Sequence, residues 1–272
     1  MTAPFPDYVN PPVTEVVCGI NFAPLENFKA IHLGLFWETI KAEFPDVQEH
    51  PPLMLTVEQL APPTQVPSPD FHMFQVPPLP RVWFLDSSGN GIVQVQRDTF
   101  LHNWRKLKDD DQYPRFRSVI ATLRNQFELF RVFVERHSIG PIKPIQCELS
   151  YVNHIYQNEL WESGQTLEKI FPDFGWRHTK SRFLPDFEGV NTRMSFRLPD
   201  NKGRLHVTLQ TGFKLPDNTP LISLESRARG VIQDASDSAV WDWFELAHEW
   251  IVKGFADLTS SEAQKSLWGE RK

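Results

Sequence analysis

Three segments in the last third of the chain alternate with a period of two. Met194, Phe196 and Leu198 interleave with Arg193, Ser195 and Arg197. Leu205, Val207 and Leu209 interleave with His206, Thr208 and Gln210, and Ile222, Leu224 and Ala228 interleave with Glu225, Arg227 and Arg229. Successive side chains of a strand point to opposite faces, so each segment reads as a strand with one apolar and one polar side. Val93 and Val95 against Gln94 and Gln96 repeat the pattern, as do Cys147 and Leu149 against Gln146, Glu148 and Ser150. Such strands build an antiparallel sheet with one apolar and one polar face.

The spacing predicts strands over 13–22, 81–85, 91–97, 145–155, 192–198, 204–213 and 221–231. Ser87-Ser88-Gly89-Asn90 and Pro199-Asp200-Asn201-Lys202-Gly203 carry the glycine and asparagine that tight turns require, so each closes a hairpin. Helical periodicity marks three further stretches. The first, 27–44, presents Phe28, Ile31, Leu35, Ile40 and Phe44 and stops at Pro45. The second opens at Tyr113-Pro114 and carries Phe116, Val119, Ile120, Leu123, Phe127, Phe130 and Val134. The third follows the capping candidates Asp237 and Ser238 and places Trp243, Phe244, Trp250 and Phe255 on one aromatic stripe, expected to be core. Ten prolines between 45 and 80 forbid a long helix there.

The order strand, helix, proline-interrupted segment, hairpin, long helix occurs before the Ser138–Pro144 stretch and, with an extra strand, after it. The expected fold is α+β: an antiparallel sheet with long helices on one face, a single fused domain over 1–272 built as a pseudo-two-fold duplication (1–142 and 143–272) of a strand-helix-hairpin-helix unit.

Composition narrows the functions. With 40% hydrophobic and 23% charged residues the chain buries a sizeable core, which excludes intrinsic disorder. A net charge of -6 argues against a general phosphate-neutralising surface, so nucleic acid is a disfavoured partner. Cys18 and Cys147 lie in apolar runs and are too few for a disulfide framework, the usage of a reducing compartment. The sequence shows no signal-peptide pattern and no run of apolar residues long enough for a membrane span, and the expected location is cytoplasmic, without a membrane partner.

Common catalytic signatures are missing. There is no Gly-x-Ser-x-Gly elbow, P-loop or dinucleotide-binding glycine pattern, and His248-Glu249 is followed by Val252 where a zinc helix needs its second histidine. The nine histidines show no ligand spacing; neither a metal nor a cofactor is expected.

The candidate binding residues fall in three groups. Arg193, Arg197, His206, Glu225, Arg227 and Arg229 lie on the polar strand faces, which are either ordinary solvated surface or a concave surface that receives a partner. His102, Asn103, Trp104, Arg105 and Lys106, in the run FLHNWRK, combine stacking, donor and charged groups suited to an anion or a flat ring, or else a packed tryptophan with solvated charges. Tyr151, Asn153 and His154 end the strand that opens the second half and reach the same rim.

Four segments, NPPVTEVVCGINFAPL, VQVQRDTFLHNWRK, CELSYVNHI and AHEWIVKGFADLTSSEAQKSLWG, together resemble a sporadically distributed family of uncharacterised bacterial proteins of about this length. The resemblance spans nearly the whole chain. It supplies no reaction; the patchy distribution of that family implies accessory cargo such as defence or toxin-antitoxin systems. The reading that follows is a non-catalytic binding protein whose polar face and FLHNWRK rim engage another protein or an anionic ligand, with homo-oligomerisation left open. The alternative is a hydrolase-like enzyme pairing His102 or His154 with Glu148 or Glu225.

Overall fold

The structure, a computed structural model, describes residues 5–60, 78–162, 164–175, 183–185, 187–232 and 236–271. Pro62, Pro63, Pro67, Pro69, Pro77, His72 and His178 lie outside them.

The alternating segments pair as their pattern requires. In chain order the elements are β1 (Asp7–Tyr8), β2 (Val13–Phe22), α1 (Ala30–Ile40), β3 (Asp46–His50), β4 (Arg81–Leu85), β5 (Gly91–Gln96), β6 (Thr99–Arg105), α2 (Arg115–Arg136) and β7 (Pro144–Tyr156). There follow β8 (Asn191–Arg197), β9 (Arg204–Lys214), β10 (Thr219–Val231), α3 (Asp237–Leu258), α4 (Ser261–Ser266) and β11 (Glu270–Arg271). Among the described residues nine strands form one antiparallel sheet in the order β3-β4-β5-β6-β2-β7-β10-β9-β8, and β1 pairs separately with β11. Central strands β2 and β7 run antiparallel with Cys18 opposite Leu149. Outward from this pair the first side carries β6, β5 and β4 and the second β10, β9 and β8; β3 extends only the first side.

The cross-strand register puts Phe22, Phe100, Leu149, Leu205 and Ala228 on one face, where α2 and α3 pack. Phe36 of α1 meets Phe84, Phe100, Phe130 and Phe133 there, with edge-on or tilted rings 5.2–6.2 Å apart. Gly230 of β10 has no room for a side chain, because an added Cβ would fall 1.8 Å from the Trp243 indole nitrogen, which donates to the Lys202 carbonyl at 2.9 Å.

Several expectations need correction. FLHNWRK is not a rim: it is mostly strand β6, hydrogen-bonded on both sides to β5 and β2. Its histidine and asparagine are poor strand formers, and the Arg97-Asp98 turn before it lacks the glycine that marks the other hairpins, so pairing on both edges overrode propensity. In α1 the buried residues are Leu33, Phe36 and Ile40, whereas Ile31 and Leu35 are 67% and 40% exposed, because the helix turns to insert Phe36 between four phenylalanines. Ser236, one residue before the expected caps, accepts from the Ala239 N–H at the start of α3. Trp243, Phe244 and Phe255 are core, but Trp250 is only partly buried at its edge.

Candidate functional site

The polar sheet face is roofed in part by the chain itself. Residues 51–60, proline-rich at their start and outside any regular element, cross above β5, β2, β7 and β9 as a strap. Gln96 holds both main-chain groups of Leu53: its Oε1 accepts the Leu53 N–H at 2.8 Å and its Nε2 donates to the Leu53 carbonyl at 2.8 Å. Three residues further on Gln146 begins a second grip, donating to the Thr56 carbonyl at 3.1 Å and accepting the Glu58 N–H at 2.7 Å. Arg204 donates to the Glu58 carboxylate at 2.6 Å, to the Gln59 carbonyl, and to the Leu60 carbonyl at 3.1 Å. Arg197 donates to the Leu60 carbonyl at 3.0 Å.

A buried belt fixes the glutamines. Gln96 and Thr99 donate to Asp98, Asn21 donates to Thr99 at 3.1 Å, and Gln146 donates to Asn21 at 3.3 Å. A second chain runs Arg81 to Gln94 to Asn103 to Glu15 with donor-acceptor distances of 3.1, 2.7 and 2.9 Å. Between strap and sheet a cleft of about 370 Å³ is lined by Glu15, Arg81, Trp83, Glu148, Arg227 and Arg229 among others. On two of its lining residues the Arg81 Nε and Trp83 Nε1 donors are buried and have no hydrogen-bond partner among the described residues.

The polar face is less bare of carboxylate than its arginines suggest. Arg229 donates to Glu148 at 2.6 Å, and Arg227 donates to Ser150 at 2.9 Å and to Glu225. Glu58 joins Arg204 and His206. Burial pushes the Glu58 carboxyl up, but the His206 and Arg204 hydrogen bonds and charges outweigh it and hold it below the usual range. His206 donates from Nε2 to Glu58 at 2.8 Å, and its Nδ1 lies 2.9 Å from Ser195 Oγ, directly across the β8–β9 ladder.

No protein-family model matches this chain, and no curated protein is significantly similar to it.

The candidate residues are dispersed by strand alternation. His102 and Trp104 point into the helix face, and Asn103 and Arg105 to the polar face. His102 is buried, donates from Nδ1 to the Ile92 carbonyl at 3.2 Å, and is pushed down to about 4 by that burial, so it is a neutral core histidine. Glu148 is on the opposite face, which removes the His102–Glu148 pair. His154 shares its face with Glu148 and Glu225, but no hydrogen bond joins it to either among the described residues. Arg105, Lys106 and His154 instead line a cleft of about 670 Å³ at one end of the sheet, with the Lys214–Asp109 ion pair.

Tyr151 and Asn153 line a different cavity of about 370 Å³ on the helix face. Its walls include Tyr113, Phe116 and His248; the Tyr113 and Tyr151 hydroxyls are 2.8 Å apart, and His248 stacks on Phe116 at 3.9 Å. Arg193 is exposed on edge strand β8.

Sequence reasoning put Ser195 on the polar face but missed Glu58, Asn21 and Thr99 as members of it, and it did not foresee that residues 51–60 of the chain itself lie there. The glutamines were visible as the polar half of two alternating strands; nothing local signals that they bind residues 43 and 88 positions away.

Proposed function

We propose that the chain is a non-catalytic binding protein whose polar sheet face engages another protein or an anionic ligand. The observation that carries this reading is the orientation of Gln96, Gln146 and Arg204, whose donors and acceptors reach a peptide main chain lying on the sheet. Buried side chains held by a belt beneath are pre-organised to receive such a chain. The expected setting is cytoplasmic. No described helix is long and apolar enough to cross a membrane. Membership of the sporadic bacterial family, an accessory role in a defence or toxin-antitoxin system, and descent by internal duplication belong to the same proposal; the duplication is supported by strand order mirrored about β2 and β7.

The test is affinity capture from the native cell with wild-type protein and with Arg227→Glu/Arg229→Glu, both shown folded by circular dichroism. Loss of the captured partner supports the reading; an unchanged profile overturns it. Arg193→Glu, at an exposed position, serves if the double variant does not fold.

A hydrolytic reading is favoured by one observation, the series Ser195, His206 and Glu58, in which a carboxylate orients an imidazole against a hydroxyl. It ranks second, because Glu58 is equally engaged by Arg204 and the serine–histidine contact follows from cross-strand register. Ester hydrolysis by wild type that Ser195→Ala abolishes is the result that would promote it.

A further inference from the structure

Resting on that reading of the polar face, we propose that its ligand is an extended peptide, read through its main chain and carrying one carboxylate, and that residues 51–60 are a competing occupant held in cis. The glutamine contacts to the strap all go to main-chain groups. Gln96 takes the N–H and C=O of one residue, and Gln146 the C=O and N–H of residues two apart, as a neighbouring strand would. Recognition of this kind is indifferent to most of the ligand's side chains.

The strap's own side chains agree. Leu53, Met54 and Val57 are exposed, Met54 to 72%, so little apolar burial ties this particular sequence to the sheet. Glu58 is the side chain that is gripped, by Arg204 and His206, and it fixes where a ligand's carboxylate sits.

The cis occupant and an incoming peptide compete for the same main-chain partners on Gln96 and Gln146. Self-occupancy then sets a threshold, because apparent affinity falls by the fraction of molecules in which the face is open.

The experiment uses the fluorescein-labelled peptide PPLMLTVEQL, residues 51–60, and fluorescence anisotropy with the full chain. Leu53→Pro with Glu58→Pro removes the two strap N–H groups that the glutamines accept and leaves the sheet untouched. This released variant is expected to bind the peptide about tenfold or more tighter than wild type. Adding Gln146→Ala to it, or replacing the peptide's glutamate by glutamine, should reverse the gain. A folded released variant that binds no tighter than wild type, or one indifferent to Gln146→Ala, overturns the inference.

If the released variant does not fold, wild type is given excess peptide. The Leu53 and Glu58 amides should then lose hydrogen-exchange protection, and unchanged protection overturns the proposal. Should the peptide fail while Arg227→Glu/Arg229→Glu still strips a captured partner, the face binds a different chemistry and only the peptide inference falls. Should both fail, the binding reading falls with it.

Discussion

Gln146 and Glu58, 88 positions apart, are joined by a 2.7 Å hydrogen bond from the Glu58 main-chain N–H to the Gln146 side-chain oxygen, and this bond ties a proline-rich loop to the middle of the sheet. Gln146 is 1% exposed, so its amide depends on Asn21, Thr56 and Glu58 for partners. Gln146→Ala leaves those groups unpaired. The expected cost is about 1–3 kcal/mol in urea denaturation, with faster proteolytic nicking at 51–60 as the specific signature. A stability loss without that nicking would separate Gln146 from the strap.

The strap should loosen in acid. Glu58 has a depressed carboxyl pKa in the folded chain, so its contribution is complete above the ordinary carboxylate value of about 4.3 and is lost as pH falls through the depressed one. The protection factor of the Leu53 amide, its exchange rate taken relative to the intrinsic rate at each pH, should fall at the acid end of this window. In Glu58→Gln the same fall should be absent.

Global stability has a separate pH window to which two buried histidines contribute, His102 and His248, each pushed down to about 4 chiefly by burial; His102 is the more deeply buried. Burial first, and only partly offset by the Ile92 carbonyl and the Asp86 charge, pushes its pKa down to about 4. Unfolded histidine titrates near 6.5, so between these values the unfolded chain binds the extra proton. Stability is therefore full above about pH 6.5 and falls toward pH 4, by about 3 kcal/mol from this residue. Urea midpoints across the range measure it, and His102→Gln should reduce the slope, leaving the part due to His248.

Trp243 and Trp250 should respond differently to truncation. Trp243→Ala empties a buried site against Gly230 and removes the bond to Lys202, with an expected loss of about 3–5 kcal/mol. Trp250, partly buried, should lose clearly less. Equal losses would mean that the core extends further over α3 than burial shows.

Tyr113→Phe tests the helix-face cavity. Its hydroxyl is the partner of Tyr151, which is buried, and removing it leaves the Tyr151 oxygen unpaired at about 1–3 kcal/mol. Thermal melts of Tyr113→Phe against wild type show whether the pair is needed.

Local pattern determined which segments form strands and which face their residues take. Alternation in Arg204–Lys214 and Thr219–Val231 gave strands with the arginines on the polar side, and periodicity in Arg115–Arg136 gave the helix that covers the other. Both follow from the geometry of a few consecutive residues, so a window of sequence contains them. Tertiary structure decided the rest. Thr99–Arg105 became a strand because neighbours on both edges took its hydrogen bonds, and the helix register around Phe36 followed four phenylalanines from distant elements. Arg227 found Glu225, Arg229 found Glu148 across the ladder, and Arg204 found Glu58 in a loop far off in sequence. Hydrogen bonds and ion pairs act over a few ångströms in space, whatever the separation along the chain, and only the folded chain brings Glu58 within reach of Arg204.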